Sequence, residues 1–297
     1  MDFPEILLID KPVGITSFDV VYKVRRKLNP KPQKYKTDVE SRRTHGVKHV
    51  HGVDEILGVT DTTEGNVLGG TLTEVEREAT KKIATPWVRL KVGHAGTLDP
   101  LASGLMIIGV GKGTKKLAEL IKLDKEYIAE VRIGEKRTTG DLEGEVIESK
   151  EVDGIPQDAI AKAIASLVGT HRLPVSAYSA IKKEGKPMYK RAREAEKKGE
   201  MVTDVPCRDM TVYEAEILNT ETIAVNRDSQ AGESLEGEES QSKRVVVTVR
   251  FAVASGVYVR SLGEELGRRL GYPATLQALR RTKVGEFTVE NAQLIDI

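Results

Sequence analysis

The stretch Gly93-His94-Ala95-Gly96-Thr97-Leu98-Asp99-Pro100-Leu101-Ala102-Ser103-Gly104 constrains this chain more than any other. Three glycines, a proline and several small residues surround one histidine and one aspartate. That composition shapes a loop and disfavours the interior of a helix or strand. Pro100 pushes Asp99 out of the helical region toward extended backbone, so a stiff segment aims its carboxylate. The apolar run Leu105-Met106-Ile107-Ile108 follows at once and reads as a buried strand. Asp99 is therefore expected on a rigid loop that feeds a core strand. An Asp-Pro turn by itself needs no chemistry; the whole string is what sets this one apart.

Periodicity places further elements around the loop. Ile6 to Ile9 predicts a strand that ends in the turn Asp10-Lys11-Pro12-Val13-Gly14. Thr16 or Ser17 then caps a helix to about Leu28, with Val20, Val21, Val24 and Leu28 on one face and Lys23, Arg25, Arg26 and Lys27 on the other. Gly109-Val110-Gly111-Lys112-Gly113-Thr114-Lys115 is not a nucleotide-binding loop. No glycine lies five positions before Gly111, and Gly113 stands where a magnesium-binding hydroxyl is needed. Thr114 is read instead as the cap of a helix to about Ile121. Tyr127 to Ile133, Val212 to Leu218 and Val245 to Val253 read as strands, and Ile155 to Val168 as an amphipathic helix stopped at Gly169. A further helix ends near Leu270. Strands and helices mixed in this way predict an α+β fold.

Several separated motifs resemble the TruB family of tRNA pseudouridine synthases. The loop resembles the family's G-H-x-G-x-L-D-P-x-A-x-G signature, and Leu7 to Leu28 resembles its opening strand, D-K-P-x-G-x-[ST]-S turn and helix. Gly111 to Lys115 is similar to a G-x-x-T-K segment, and Asp124-Lys125-Glu126-Tyr127 to D-K-x-Y. Arg137 to Gly144 resembles a T-D-T-x-D-x-E-G hairpin, with Thr138 where aspartate is common. Leu173 to Arg193 is similar to a P-P-x-Y-S-A-x-K segment and its sequel, whose interleaved tyrosines and cations suit a strand of RNA. Ala254-Ser255-Gly256-Val257-Tyr258-Val259-Arg260-Ser261-Leu262 resembles C-S-x-G-T-Y-I-R-S-L, with Ala254 and Val257 as departures, and Leu279-Arg280-Arg281-Thr282 completes the series.

The resemblance implies a pseudouridine synthase fold, with a mixed, mostly antiparallel central sheet flanked by helices. It implies isomerisation of uridine 55 in the T-loop of tRNA, with Asp99, Tyr127 and Arg260 catalytic and His94, Tyr258, Leu279, Lys115 and Lys11 binding substrate. Breaking the glycosidic bond, turning the uracil over and rejoining it through carbon retains every atom, so no cofactor and no metal is expected. The aspartate either attacks the anomeric carbon or removes a sugar proton, and sequence leaves both open. Arg260 is expected to keep Asp99 ionised, since a guanidinium within bonding distance lowers an aspartate's pKa by about 1 to 3 pH units. A planar two-point grip, which a lysine lacks, is part of that expectation. Two rival readings are a related synthase that modifies another RNA through a guide complex, and a non-catalytic RNA-binding module, for which the trio Asp99, Tyr127 and Arg260 has no use.

Composition bounds the rest. The 297 residues carry a formal net charge of only +1, but Arg227 to Ser242 holds five carboxylates against one arginine, so the remainder is mildly basic and compatible with RNA. A single cysteine, Cys207, rules out disulfides within the chain and fits a reducing cytoplasm. The early apolar run Ile6 to Ile9 is too short for a membrane span or a signal segment. The expectation is a cytoplasmic monomer, one catalytic domain over residues 1–297 whose partner is the T-arm of tRNA. Two departures from a compact domain are expected: an insertion at about 29–88 and an acidic loop at about 226–242. The insertion holds Lys31, Lys34, Lys36, Arg42 and Arg43, and is read as an RNA-contacting arm. His45, His49 and His51 within it form no strong metal pattern. With ten residues after Phe287, no C-terminal PUA-like domain is expected.

Overall fold

The computed structural model describes residues 4–29, 90–226 and 241–294. The histidines of the insertion, its basic residues, a short helix expected over 72–83 and most of the acidic loop lie outside the described residues. The architecture below is that of the unit formed by residues 1–28 and 90–297.

In chain order the elements are β1 (Ile6–Lys11), α1 (Ser17–Leu28), β2 (Val92–His94) and β3 (Ala102–Val110). A 3-10 segment, Gly111–Lys116, leads into α2 (Leu117–Leu120), β4 (Lys125–Ile133), β5 (Glu135–Arg137) and β6 (Val146–Ser149). Next come α3 (Gln157–Ser166), β7 (Gly169–Pro174), β8 (Lys182–Lys183), β9 (Lys186–Pro187) and α4 (Met188–Glu196). Last are β10 (Cys207–Asn226), β11 (Gln241–Val253), α5 (Val259–Leu270), β12 (Ala274–Val284), β13 (Phe287–Thr288) and β14 (Gln293–Leu294).

Among the described residues ten strands form one sheet, with the path β14-β1-β3-β12-β4-β11-β10-β7, β13 added to β12 and β2 to β3. The pairs β1 with β14 and β3 with β12 are parallel, and the others in this sheet are antiparallel. This is the mixed, mostly antiparallel α+β sheet expected from sequence. The central position of β3 explains its unbroken apolar text. Met106 and Ile108 enter the main core, while Leu105 and Ile107 enter a second cluster with Val284 and Val289 on the other face. β4 is covered on one face only: Tyr127, Ala129, Val131 and Ile133 point into the core, whereas Glu126, Ile128, Glu130 and Arg132 alternate outward.

Helices cover the core face. α5 lies against β12 and β4 and buries Leu262 and Leu266 completely. It stops at Gly271, whose left-handed backbone (φ 78°) suits the residue that ends a helix. α1 begins with a capping box: the Thr16 hydroxyl and amide donate to Asp19 at 2.6 and 2.9 Å, and the Asp19 amide donates back to the Thr16 hydroxyl at 3.2 Å. Of the two caps that sequence allowed, Thr16 is the one used, which frees Ser17 for another task. Elsewhere Thr114 starts no full helix: its hydroxyl bonds the Gly111 carbonyl inside the 3-10 segment, and the regular α-helical turn is α2.

Close approach of backbones at the β3–β12 seam fixes where the loop before β3 emerges. Gly104 has φ +105°, and a Cβ there would lie 2.3 Å from the Arg281 carbonyl oxygen and 2.7 Å from its nitrogen. Neither neighbour is a movable side-chain end. Gly104→Ala is expected to cost about 2 kcal/mol or more in denaturant unfolding; a loss under about 0.5 kcal/mol would mean that the seam does not require glycine.

Candidate active site

Asp99 is the first residue of a turn closed by the Ala102 amide on the Asp99 carbonyl at 3.1 Å, with Pro100 in the second position that such turns favour. The turn is gripped on both sides. Ser17, buried at the first turn of α1, donates to the Leu98 carbonyl at 2.9 Å and accepts from the Leu98 amide at 2.7 Å. On the other side the Gly14 amide donates to the Pro100 carbonyl at 2.8 Å, and the Lys11 ammonium reaches the same oxygen at 3.3 Å. Below, Arg281 donates to the Leu105 carbonyl at 2.7 Å and the Gly96 carbonyl at 3.2 Å. A loop without regular structure is thus held at four of its own backbone groups, on Gly96, Leu98 and Pro100, and its aspartate has little freedom.

Arg260 meets this aspartate from the second residue of α5. Its Nε lies 3.0 Å from Asp99 Oδ2, while its Nη1 lies 3.5 Å from Asp141 Oδ2. Nη1 also donates to the Thr139 carbonyl at 2.9 Å and the Ser176 hydroxyl at 3.3 Å, and Nη2 to the Tyr178 carbonyl at 3.1 Å. The guanidinium is 6% exposed and the Asp99 side chain 36%, so the arginine is interior and the carboxylate stands at the rim with water on one side.

One expectation needs correction here. The grip on Asp99 is one-point, because the two terminal nitrogens of Arg260 are directed to Asp141, Thr139, Ser176 and Tyr178. Arg260 does pull the proton affinity of Asp99 down, as expected, and Lys11 adds to that pull, but burial pushes it up more strongly and Asp141 adds to the rise, so the balance is a raised pKa. Desolvation outweighs a single hydrogen bond from a cation that Asp99 must share with a second carboxylate.

The remaining candidates fall into two groups. Sheet register carries Leu279 and Tyr127 toward the loop: Ala102, Leu279 and Ala129 form one row across β3, β12 and β4, and Gly104, Arg281 and Tyr127 the next. Tyr258 caps the start of α5 two residues before Arg260, and its burial raises the hydroxyl's pKa. His94 ends β2 at the start of the loop; burial lowers its pKa, against a backbone hydrogen bond at Gly96 that raises it, and Arg281 lowers it further. Those influences favour a neutral imidazole.

Lys11 and Lys115 are placed otherwise than expected. Lys11 is fully buried beneath the loop, donating to the carbonyls of Ile15 at 2.7 Å and Pro12 at 2.9 Å besides Pro100. Burial lowers its pKa to about 8. It is a clamp, not a surface cation. Lys115 is exposed in the 3-10 segment beyond the far end of β3, a nine-residue strand away from Asp99 or roughly 25 Å of rise.

Sequence reasoning gave no role to Asp141, and to Ser17 only that of an alternative helix cap. Asp141 was visible as the aspartate of the Thr139-Gly140-Asp141-Leu142-Glu143-Gly144 hairpin, where it accepts from the Thr139 hydroxyl and the Glu143 amide. Nothing in spacing alone reveals that its second oxygen faces Arg260. Among the described residues no group of three or more His, Cys, Asp or Glu side chains is arranged to hold a metal. A concavity of about 490 Å³, lined by Ile155, Pro156, Lys162, Arg269 and Tyr272, lies at the C-terminal end of α5, opposite the end that carries Arg260.

With this geometry in hand the likenesses to known proteins can be read. A family model described as TruB family pseudouridylate synthase (N terminal domain) matches residues 81–233, more than half of the chain. The chain belongs to the TruB family. Among its TruB relatives, the tRNA pseudouridine synthase B of Corynebacterium efficiens is 36% identical over 215 residues, which cover 72% of this chain and 65% of that protein. That of Thermobifida fusca is 38% identical over 207 residues, covering 69% and 64%. The Corynebacterium glutamicum protein of the same name is 30% identical over 289 residues, covering 97% of this chain and 70% of its own length. The chain therefore spans about two thirds of the length of these TruB relatives. A chain in a crystal structure of a Cbf5-Nop10-Gar1 complex shares the fold at 21% identity and a TM-score of 0.50, covering 98% of this chain and 52% of that one.

Arg260 lowers and Asp141 raises the proton affinity of Asp99, so the two have opposite leverage on it. Arg260→Met is expected to raise the pKa of Asp99 by about 1 to 3 pH units, and Asp141→Asn to lower it. NMR titration of the Asp99 carboxyl reads both; shifts of the same sign would contradict the arrangement.

Proposed function

We propose that this chain is a tRNA pseudouridine synthase that isomerises uridine 55 in the T-loop of tRNA. The observation that carries the reading is Asp99 on a loop held at four of its own backbone groups, its carboxylate at the rim and 3.0 Å from a buried arginine, in a member of the TruB family. Its relatives are named tRNA pseudouridine synthase B, and that supplies the substrate class. The proposal takes the chain to act in the cytoplasm as a monomer on the tRNA T-arm.

The chemistry asks little beyond these side chains. The target base is unreachable while stacked, so it is flipped out at a cost of a few kcal/mol. In this proposal His94, neutral and at the start of the loop, occupies the vacated position. Tyr258 and Leu279 bound the extruded uracil, and Tyr127 places its hydroxyl near the carbon that must lose a proton. Asp99 acts on the sugar, as nucleophile at the anomeric carbon or as base toward a sugar proton. The glycosidic carbon–nitrogen bond breaks, the uracil turns, and a carbon–carbon bond forms. The proton lost from the ring carbon is balanced by one gained at the freed nitrogen. His94 and Tyr127 contribute position and a proton route, and Arg260 keeps the acid anionic as the arriving base removes its remaining water.

Release of tritium from base-labelled uridine in a tRNA transcript tests the proposal. Asp99→Asn is expected to bind tRNA and release none; turnover above about 1% of wild type would exclude Asp99 as the reacting group.

The pH dependence has a definite sign. The ionised carboxylate is the working form and its pKa is raised, so kcat/KM is expected to fall as pH drops through a value above the ordinary aspartate range. Arg260→Lys keeps a positive charge but loses the array that satisfies Thr139, Ser176 and Tyr178, and is expected to lower kcat about 100-fold or more. Near-normal kcat, or an acid limb at ordinary aspartate pH, would contradict the role given to the pair.

A further inference from the structure

On α1 the residues that face away from the core are unlike an ordinary solvated helix face. Val20, Val21 and Val24 are buried on one side, while Phe18 is 66% and Tyr22 53% exposed on the other. Phe18, Tyr22 and Arg26 follow one another at a spacing of four, so they line a single stripe along the helix. Lys23 flanks the stripe, partly offset by Asp19 of the capping box, while Arg26 is exposed at its far end. Isolated exposed apolar residues are commonplace, but two aromatic rings in line with an arginine are a defined surface.

Its place in the fold is equally specific. Phe18 directly follows Ser17, which bonds both backbone groups of Leu98, the residue before Asp99. Val13, 61% exposed, directly precedes Gly14, which bonds the carbonyl of Pro100, the residue after Asp99. Two exposed apolar residues are thus the immediate chain neighbours of residues bonded to Leu98 and Pro100, and the stripe runs on from Phe18 along α1.

We propose that the Phe18-Tyr22-Arg26 face, with Val13 at its end, binds the RNA strand that adjoins the flipped nucleotide. This inference rests on the reading of the chain as an RNA-modifying enzyme and assigns a second contact surface beside that site. The occupant follows from chemistry. Bases unstacked next to a flipped nucleotide expose faces that aromatic rings cover, and the phosphates between them require cations, here Lys23 and Arg26. A second copy of this chain meeting it through the same face would bring Lys23 and Arg26 against their own kind, whereas an RNA strand brings the opposite charge.

Equilibrium binding of a full-length tRNA transcript, measured in the Asp99→Asn background so that turnover plays no part, tests this. Phe18→Ala with Tyr22→Ala is expected to raise Kd at least about 10-fold without lowering Tm, since both side chains are exposed. Arg26→Gln is expected to reduce the slope of log Kd against log salt by about 1. A double variant that binds as tightly as its parent overturns the inference, as does a wild-type dimer in sedimentation that the double variant loses, which would give the surface to a second copy of the chain. Failure of the wild-type chain to bind tRNA at all overturns the enzymatic reading instead, so the two failures are distinguishable.

Discussion

The ion pair between Asp99 and Arg260 governs the rest of the structure because only one of its members is interior. A guanidinium taken almost wholly out of water is tolerable when its hydrogens are matched, and removing a partner from such a charge is costly, about 3–5 kcal/mol. Here the matching is shared among five acceptors on three segments: the Asp99 loop, the hairpin of Thr139 and Asp141, and the Ser176–Tyr178 stretch. Arg260 gathers these segments at the start of α5 while leaving Asp99 a single contact and a wet side. The aspartate is consequently restrained without being neutralised. A second strong contact would hold it ionised more firmly and leave it less able to react.

Holding the acid's backbone falls to groups distant in sequence. Ser17 and Leu98 are 81 positions apart, yet they exchange two hydrogen bonds through one hydroxyl. Closing a loop of that length costs only slightly more entropy than closing one of half the length, about 0.6 kcal/mol per doubling. The contact between α1 and the loop is therefore compatible with a long segment between them. Lys11 adds a clamp of a different kind, an ammonium with three carbonyl partners under the turn.

What was legible in the sequence divides along physical lines. Periodicity recovers the strand β4, the helices α1, α3 and α5 and the buried strand β3, since each is read from residues adjacent in the chain. It under-reads β10 and β11, expected at Val212 to Leu218 and Val245 to Val253 but running over Cys207–Asn226 and Gln241–Val253, because the added residues are mostly polar and are held as strand by pairing, Cys207 to Thr211 with β7 and Asn219 to Asn226 with β11. The motifs placed Asp99 opposite Arg260 correctly. They could not say which way the pKa of Asp99 would move, since that depends on the depth of the loop and on Asp141 sharing the arginine. Nor could they separate Lys11 from a substrate contact. A lysine in a Pro-Gly turn looks exposed until the turn is seen to fold over it.

That buried lysine bears on the acid as well as on the turn. A methionine would fill the same space without the desolvation that brings the Lys11 pKa down to about 8, but it would leave the three carbonyls unmatched and remove a positive charge. With a pKa near 8 the ammonium remains mostly charged at neutral pH, and it is the second group after Arg260 that favours an anionic Asp99. Its field reaches the carboxylate from the protein side. A ligand that covers the rim displaces the water on the opposite side and raises the proton affinity of Asp99 further, but it cannot shield a charge that lies beneath the loop. As solvent leaves, the low-dielectric surroundings strengthen the attraction of both cations. The same burial that makes Asp99 harder to ionise thus makes the two fixed charges beside it more effective in opposing that rise.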